Sequence, residues 1–229
     1  MVNIALNISK LKQQIPHSVK IVAVSKTKPG SDIMVAYNAG QRIFGENRVQ
    51  ELVTKKDELP SDIEWHLIGH LQSNKVKYIM PFISMIQSAD SAKILYVINN
   101  EAEKYGRIID CLLQFHIAKE ETKFGFNLEE VFQLLESEDF KRLGNVNVCG
   151  VMGMATFTDN MTLVRKEFKY LRNCFSTLKE KYYKQHEQFK EISMGMSGDY
   201  MTAIEEGSTI VRIGSLIFGE RNTKLFRLI

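Results

Sequence analysis

The chain has 229 residues, 44% of them hydrophobic, and no Ser/Gly/Pro-rich stretch or block of one charge divides it, so one globular domain spanning 1–229 with a sizeable core is expected. Its net charge of +3 is dispersed among interleaved acidic groups, which argues against a nucleic-acid surface; Lys179, Glu180, Lys181 and Lys184 read as the solvated face of a helix. Three cysteines without C-x-x-C spacing, and a first segment interrupted by Asn3, Asn7, Lys10 and Lys12, predict reduced thiols, no secretory leader, no bilayer span and a cytoplasmic location.

Ile4, Ile8, Leu11 and Ile15 recur at helical spacing ahead of Pro16, which predicts an N-terminal helix ending there. Eight short apolar runs follow, at Lys20–Val24, Arg42–Phe44, Glu64–Ile68, Phe82–Gln87, Asp110–Ile117, Val146–Met152, Lys190–Ser193 and Ile210–Ile213. Most of the gaps are wide enough for a helix; between the fourth and fifth, Leu95, Ile98, Ala102 and Tyr105 share one helical face. Cys111 and Cys149 lie in apolar runs and read as core. Eight strand-helix units in a chain of this length predict an α/β fold, a single (β/α)₈ TIM-type barrel carrying an extra N-terminal helix. A doubly wound open sheet would use fewer strands, and Ser25-Lys26-Thr27-Lys28-Pro29-Gly30 is not a dinucleotide-binding turn.

In such a barrel, chemistry gathers where strands end. Lys26 ends the first strand and would project its amine into the barrel mouth, although lysines at strand ends also simply snorkel to water. Met194-Gly195-Met196-Ser197-Gly198-Asp199 and Arg212-Ile213-Gly214-Ser215 form two glycine turns after the last two strands, where barrels hold phosphate on backbone amides; Gly195 and Gly198 would let the backbone approach the anion. An amine facing a phosphate cradle points to pyridoxal phosphate, and attack on its aldehyde requires Lys26 in its neutral form. Arg212 would face the pyridine edge or pair with Glu205 or Glu220; at the ring it could only donate, leaving the pyridine nitrogen unprotonated and transamination disfavoured. Asn47 either contacts a ring substituent or caps the next helix. His66 and His70 fall on a strand and beyond Gly69, a spacing suited to structural or pocket-lining roles and not to a shared metal.

Ala23-Val24-Ser25-Lys26, Phe44-Gly45-Glu46-Asn47, the run from Trp65 to Lys75, Met194-Gly195-Met196-Ser197 and the run from Gly207 to Gly214 resemble the signatures of the pyridoxal phosphate homeostasis protein family, over nearly the whole chain. The resemblance implies a barrel similar to the N-terminal domain of alanine racemase, with the cofactor held as an internal aldimine on Lys26. It further implies that Arg212 faces the pyridine nitrogen, that Ser197, Gly214 and Ser215 hold the phosphate, that Asn47 lies beside the ring, and that Met196 contributes its backbone. Two positions depart from the pattern: Arg48 stands where an aromatic residue is expected, which would alter the pocket rim, and Ser215 replaces a threonine but keeps the hydroxyl.

The implied role is non-enzymatic: a monomer that binds, buffers or delivers the cofactor, with acceptor apo-enzymes as its partners. The rival reading is an amino-acid racemase. Racemisation needs an acid/base group on each face of the substrate Cα, and beyond the barrel only Phe218–Ile229 remain to supply a second domain. Lys28, Lys123 or Lys224 could accept the aldehyde transiently during release.

Overall fold

The structure, a computed structural model, describes residues 2–118 and 124–220. Eight parallel strands close on themselves in chain order: β1 Lys20–Val24, β2 Ile43–Glu46, β3 Glu64–Leu67, β4 Met85–Ala89, β5 Ile109–Phe115, β6 Val146–Gly153, β7 Glu191–Met196 and β8 Ile210–Ile213. The closing pair sets Val22 opposite Arg212 and Ala23 opposite Ile213. The helices are α1 Ile4–Gln14, α2 Gly30–Asn38, α3 Val49–Glu58, α4 Ala92–Glu103, α5 Leu128–Glu136, α6 Glu138–Lys141, α7 Met161–Lys181, α8 Tyr200–Glu205 and α9 Ser215–Phe218. The β3–β4 connection carries a 3₁₀ turn, Ser73–Tyr78, in place of an α-helix.

The expected strands are present, with shifted ends. β2 runs two residues past Phe44, β4 begins three residues after Phe82, and β7 extends through Met196 into the first glycine turn. α4 buries Ile94, Leu95, Ile98 and Ala102 as the spacing requires, but it ends at Glu103, and Tyr105 lies beyond it, half exposed. α1 buries Ile4, Ile8 and Leu11. It stops at Gln14 because Ile15 precedes proline, which disfavours the helical conformation, and Ile15 is extended.

Alternation along each strand divides the core into two layers. Val211 and Ile213 face the helices and join the large outer layer, as do Ala23, Trp65, Leu67 and Cys111. Ile210 packs with Val22, Met85, Leu112, Cys149 and Met152 in a separate cluster; side chains from β1, β4, β5, β6 and β8 can meet only in the barrel lumen. Arg212 shares the inward parity of Ile210, so it enters the lumen above this apolar floor. The first two cysteines are therefore core residues of different layers, and all three thiols are free and buried. No described helix is long and apolar enough to cross a membrane.

Candidate functional site

A cavity of about 790 Å³ opens where the strands end. The residues predicted for the site come from four separate segments. Lys26 follows β1, Asn47 follows β2, Met196 ends β7 with Ser197 next, and Arg212, Gly214 and Ser215 belong to β8 and the start of α9; all seven line this one cavity. Met154, Thr156 and Phe157, from the β6–α7 connection, line it too and carried no motif in the sequence. Glu167 of α7 anchors that connection by accepting from Thr156 N and Thr156 Oγ1, both at 2.7 Å, while Phe157 stands 94% exposed at the rim.

The turn bearing Lys26 is clamped from both sides. Ser25 Oγ donates to Glu46 Oε1 at 2.6 Å, and Thr27 N donates to Glu51 Oε1 at 2.5 Å. Lys55 Nζ ties the two carboxylates together at 2.7 Å and 2.6 Å and also donates to the Ser25 carbonyl at 2.8 Å. Thr27 has φ 66, the left-handed region, where a β-branched residue is rarely found. That strained conformation is what the clamp holds, beside the predicted reactive amine. Burial raises the Glu46 carboxyl above its ordinary range, opposed by the Lys55 ammonium and its hydrogen bonds.

Asn47 does not cap α3. The cap position is Arg48, whose side chain makes no capping bond and which lies outside the cavity lining. Asn47 Oδ1 is buried and, among the described residues, has no hydrogen-bond partner. A buried acceptor without a donor is costly, and it suits a ligand that brings one.

Arg212 is 4% exposed. It does not pair with Glu205, which is engaged by Arg165; its guanidinium donates to Ser193 Oγ at 2.5 Å and to the Gly153 carbonyl at 2.9 Å. Those bonds use two of the five N–H groups of an arginine, and the side chain still borders the cavity. Burial lowers it to about 10, against the pull of Asp199, so it stays charged at neutral pH.

The two glycine turns touch: Gly214 N donates to Ser197 Oγ at 3.2 Å. Gly195 has φ +95, and a Cβ there would sit 2.5 Å from Ala203 Cβ, so the packing of β7 on α8 by itself requires this glycine. Gly198 and Gly214 face no such constraint: a Cβ on Gly198 would meet nothing within 4 Å, and one on Gly214 would only reach van der Waals contact with Val24. Asp199 turns its carboxylate back onto Met196 N at 2.5 Å. Burial raises Asp199, with the Met196 bond and the Arg212 charge acting against it.

α9 has side chains on its exposed carbonyls. Asn7 Nδ2 donates to Ile217 O at 3.0 Å, and Lys28 Nζ to Phe218 O at 2.8 Å and Gly219 O at 3.4 Å. Lys28 thus joins the Lys26 segment to the C-terminal end of the helix whose N-terminal end borders the cavity. Lys123 and Lys224 lie outside the described residues. His66 and His70 diverge: His66 is buried against Gln87, whereas His70 bonds Asp90 and stacks on Phe124 near the surface.

Barrel and cavity together are those of the alanine racemase N-terminal domain class, and the family so described matches residues 1–222. A pyridoxal phosphate homeostasis protein of Aquifex aeolicus is 41% identical over 203 residues, covering 88% of this chain and 87% of its own. The solved structure of PipY from Synechococcus elongatus PCC7942 with PLP bound is 35% identical, with a TM-score of 0.84 over 95% of this chain and 100% of that one. Alanine racemase of Clostridium difficile 630, at 12% identity and TM-score 0.72, shares the fold over 97% of this chain and 57% of its own. The chain belongs to the pyridoxal phosphate homeostasis protein family.

Proposed function

We propose that this chain binds pyridoxal 5′-phosphate in the strand-end cavity and serves the homeostasis of the cofactor, holding and releasing it without turning over a substrate. The observation that carries this reading is the convergence of the Lys26 segment, the Arg212 guanidinium and the start of α9 on one cavity, together with the PLP-bound relative of the same fold. The residues fit the group. Asn47 Oδ1 offers an acceptor to the ring hydroxyl, Arg212 a donor to the pyridine nitrogen, and Ser197, Gly214 and Ser215 hydroxyls and amides at a helix start to the phosphate. Met196 adds backbone at the same edge.

When bound, the cofactor supplies an aldehyde that an amine can capture reversibly and a ring that can accept electrons. Lys26 is the amine placed to hold it. Arg212 can only donate, so a ring nitrogen facing it would stay unprotonated and the ring would be a weak electron sink. That favours storage over carbanion chemistry. Racemisation would need a second acid/base group opposite Lys26. Among the described residues lining the cavity none is a tyrosine; Asp199 is bonded to Met196 N and Lys28 to the Phe218 and Gly219 carbonyls, and Asp159 is the other carboxylate in the lining.

The reading further takes the chain to act as one domain and a monomer, passing cofactor to acceptor apo-enzymes. Borohydride reduction of the cofactor-treated protein followed by peptide mapping tests it. A stoichiometric adduct at Lys26 is expected; adducts scattered over surface lysines, or none, would remove it. Racemisation of amino acids by the loaded wild type, lost in Lys26→Ala, would favour the enzymatic alternative.

A further inference from the structure

Beneath the cavity a line of hydrogen bonds crosses the barrel lumen. Arg212 of β8 donates to Ser193 Oγ of β7 at 2.5 Å, Ser193 Oγ donates to Gln87 Oε1 of β4 at 2.7 Å, and Gln87 Nε2 lies 2.9 Å from His66 Nδ1 of β3. All four residues are buried, with Gln87 and Ser193 at 0% exposure.

The direction of every bond follows from its first member. An arginine can only donate, so Ser193 Oγ accepts from Arg212 and its own proton is left for Gln87 Oε1. The Gln87 carbonyl oxygen is thereby fixed toward Ser193, which turns the amide nitrogen toward His66. His66 Nδ1 must then accept, so the imidazole is neutral with its proton on Nε2. The bonds along the line are compatible with one orientation only, and reversing any of them leaves two donors or two acceptors facing each other in the buried lumen.

Resting on the cofactor reading above, we infer that Gln87 and Ser193 are positioning residues that hold the Arg212 guanidinium toward the pyridine nitrogen, with His66 as the neutral acceptor that terminates the line. None of the three touches the cavity. Their effect passes through Arg212. With the guanidinium pinned on one edge by Ser193 and Gly153, its remaining N–H groups are presented upward without the entropy cost of fixing a long side chain at the moment of binding.

The test uses two near-isosteric variants, Gln87→Leu and Ser193→Ala, beside the wild type. In cofactor-free protein labelled with ¹⁵N-histidine, with the signal assigned through His66→Gln, His66 should show an unprotonated, hydrogen-bonded Nδ1 and a protonated Nε2. Gln87→Leu should remove the hydrogen-bond shift at Nδ1, and Ser193→Ala should mix the two tautomers. In loaded protein both variants should keep the Lys26 adduct and change the ¹⁵N shift of the labelled pyridine nitrogen; Ser193→Ala should release cofactor on the order of tenfold faster, as expected for loss of one hydrogen bond to a charged group, and Gln87→Leu should release it faster by a smaller factor because it acts only through Ser193. A wild-type His66 protonated on Nδ1 would overturn the relay, and so would variants with unchanged pyridine shift and release. A wild type that forms no adduct at Lys26 would instead sink the cofactor reading, while the His66 tautomer still decides the relay in the free protein.

Discussion

At the scale of single residues, the glycines and His66 separate what holds the fold from what serves the cavity. Gly195 needs its left-handed φ and its missing Cβ, so Gly195→Ala should cost about 2 kcal/mol or more, read as a lowered denaturation midpoint. Gly214→Ala meets only ordinary contact, so its midpoint should stay near the wild type while cofactor affinity falls; equal loss of both would show Gly214 to be structural. His66 carries an acid liability. Burial, aided by the Lys20 charge, lowers it from 6.5 to about 3, so between those values the unfolded chain binds a proton that the folded chain refuses. Stability from this group is whole above pH 6.5 and declines by about 1.4 kcal/mol per pH unit as pH falls toward 3. Urea titrations at pH 6.5 and 4.5 should show that slope, and His66→Gln should flatten it.

At the scale of elements, two short segments depend on side chains from elsewhere. The Lys26 turn rests on the α3 ammonium between two carboxylates, with Lys55 and Glu46 side chains 8% and 0% exposed. Removing one member of a buried pair strands the other, so Lys55→Met should cost about 3 kcal/mol and leave Thr27 free to relax from its strained φ. Slower borohydride-trapped adduct formation at Lys26, beyond what the stability loss explains, is the accompanying signature. α9 is too brief to be stable alone, and Lys28 with Asn7 holds its carbonyl end. Lys28→Met should weaken cofactor binding several-fold, and Lys28→Arg should restore most of it because a guanidinium can still donate to both carbonyls. That recovery would also argue against Lys28 as an aldehyde acceptor, since arginine cannot take that part.

For the whole molecule, function depends on closure. Seven residues from four segments share one cavity only because β8 pairs with β1. Gly150 guards another seam: it lies opposite Glu191 in the β6–β7 pairing, and a Cβ there would fall 1.8 Å from the Glu191 carbonyl oxygen. Gly150→Ala should open that seam, with loss of cooperative unfolding and of the Lys26 adduct together. By contrast Lys26→Ala should remove the adduct and leave the unfolding transition near its original position; a variant that fails to fold would contradict the separation of core from cavity drawn here.

The chain by itself determined the number and order of strands, the N-terminal helix and most of the cavity residues, because strand periodicity, proline, strand-end polar groups and glycine turns are local signals; Met196 emerges only from the family resemblance. It placed element ends less well: Phe82 lies three residues before β4, where neighbouring strands and not propensity decide how far pairing extends, and Tyr105 lies beyond the end of α4 although its spacing continues the helical face. It did not show that Gly195 is also constrained by Ala203 of the following helix, and it left Asn47 open between cap and cavity. Only the tertiary structure brought Gln87, Ser193 and His66 onto one line to Arg212, or set Lys55 between Glu46 and Glu51 under the Lys26 turn. The bonds that cross the lumen join residues up to 106 positions apart, and a buried polar residue carries no mark of its partner until the barrel closes and removes the water that would otherwise have satisfied it.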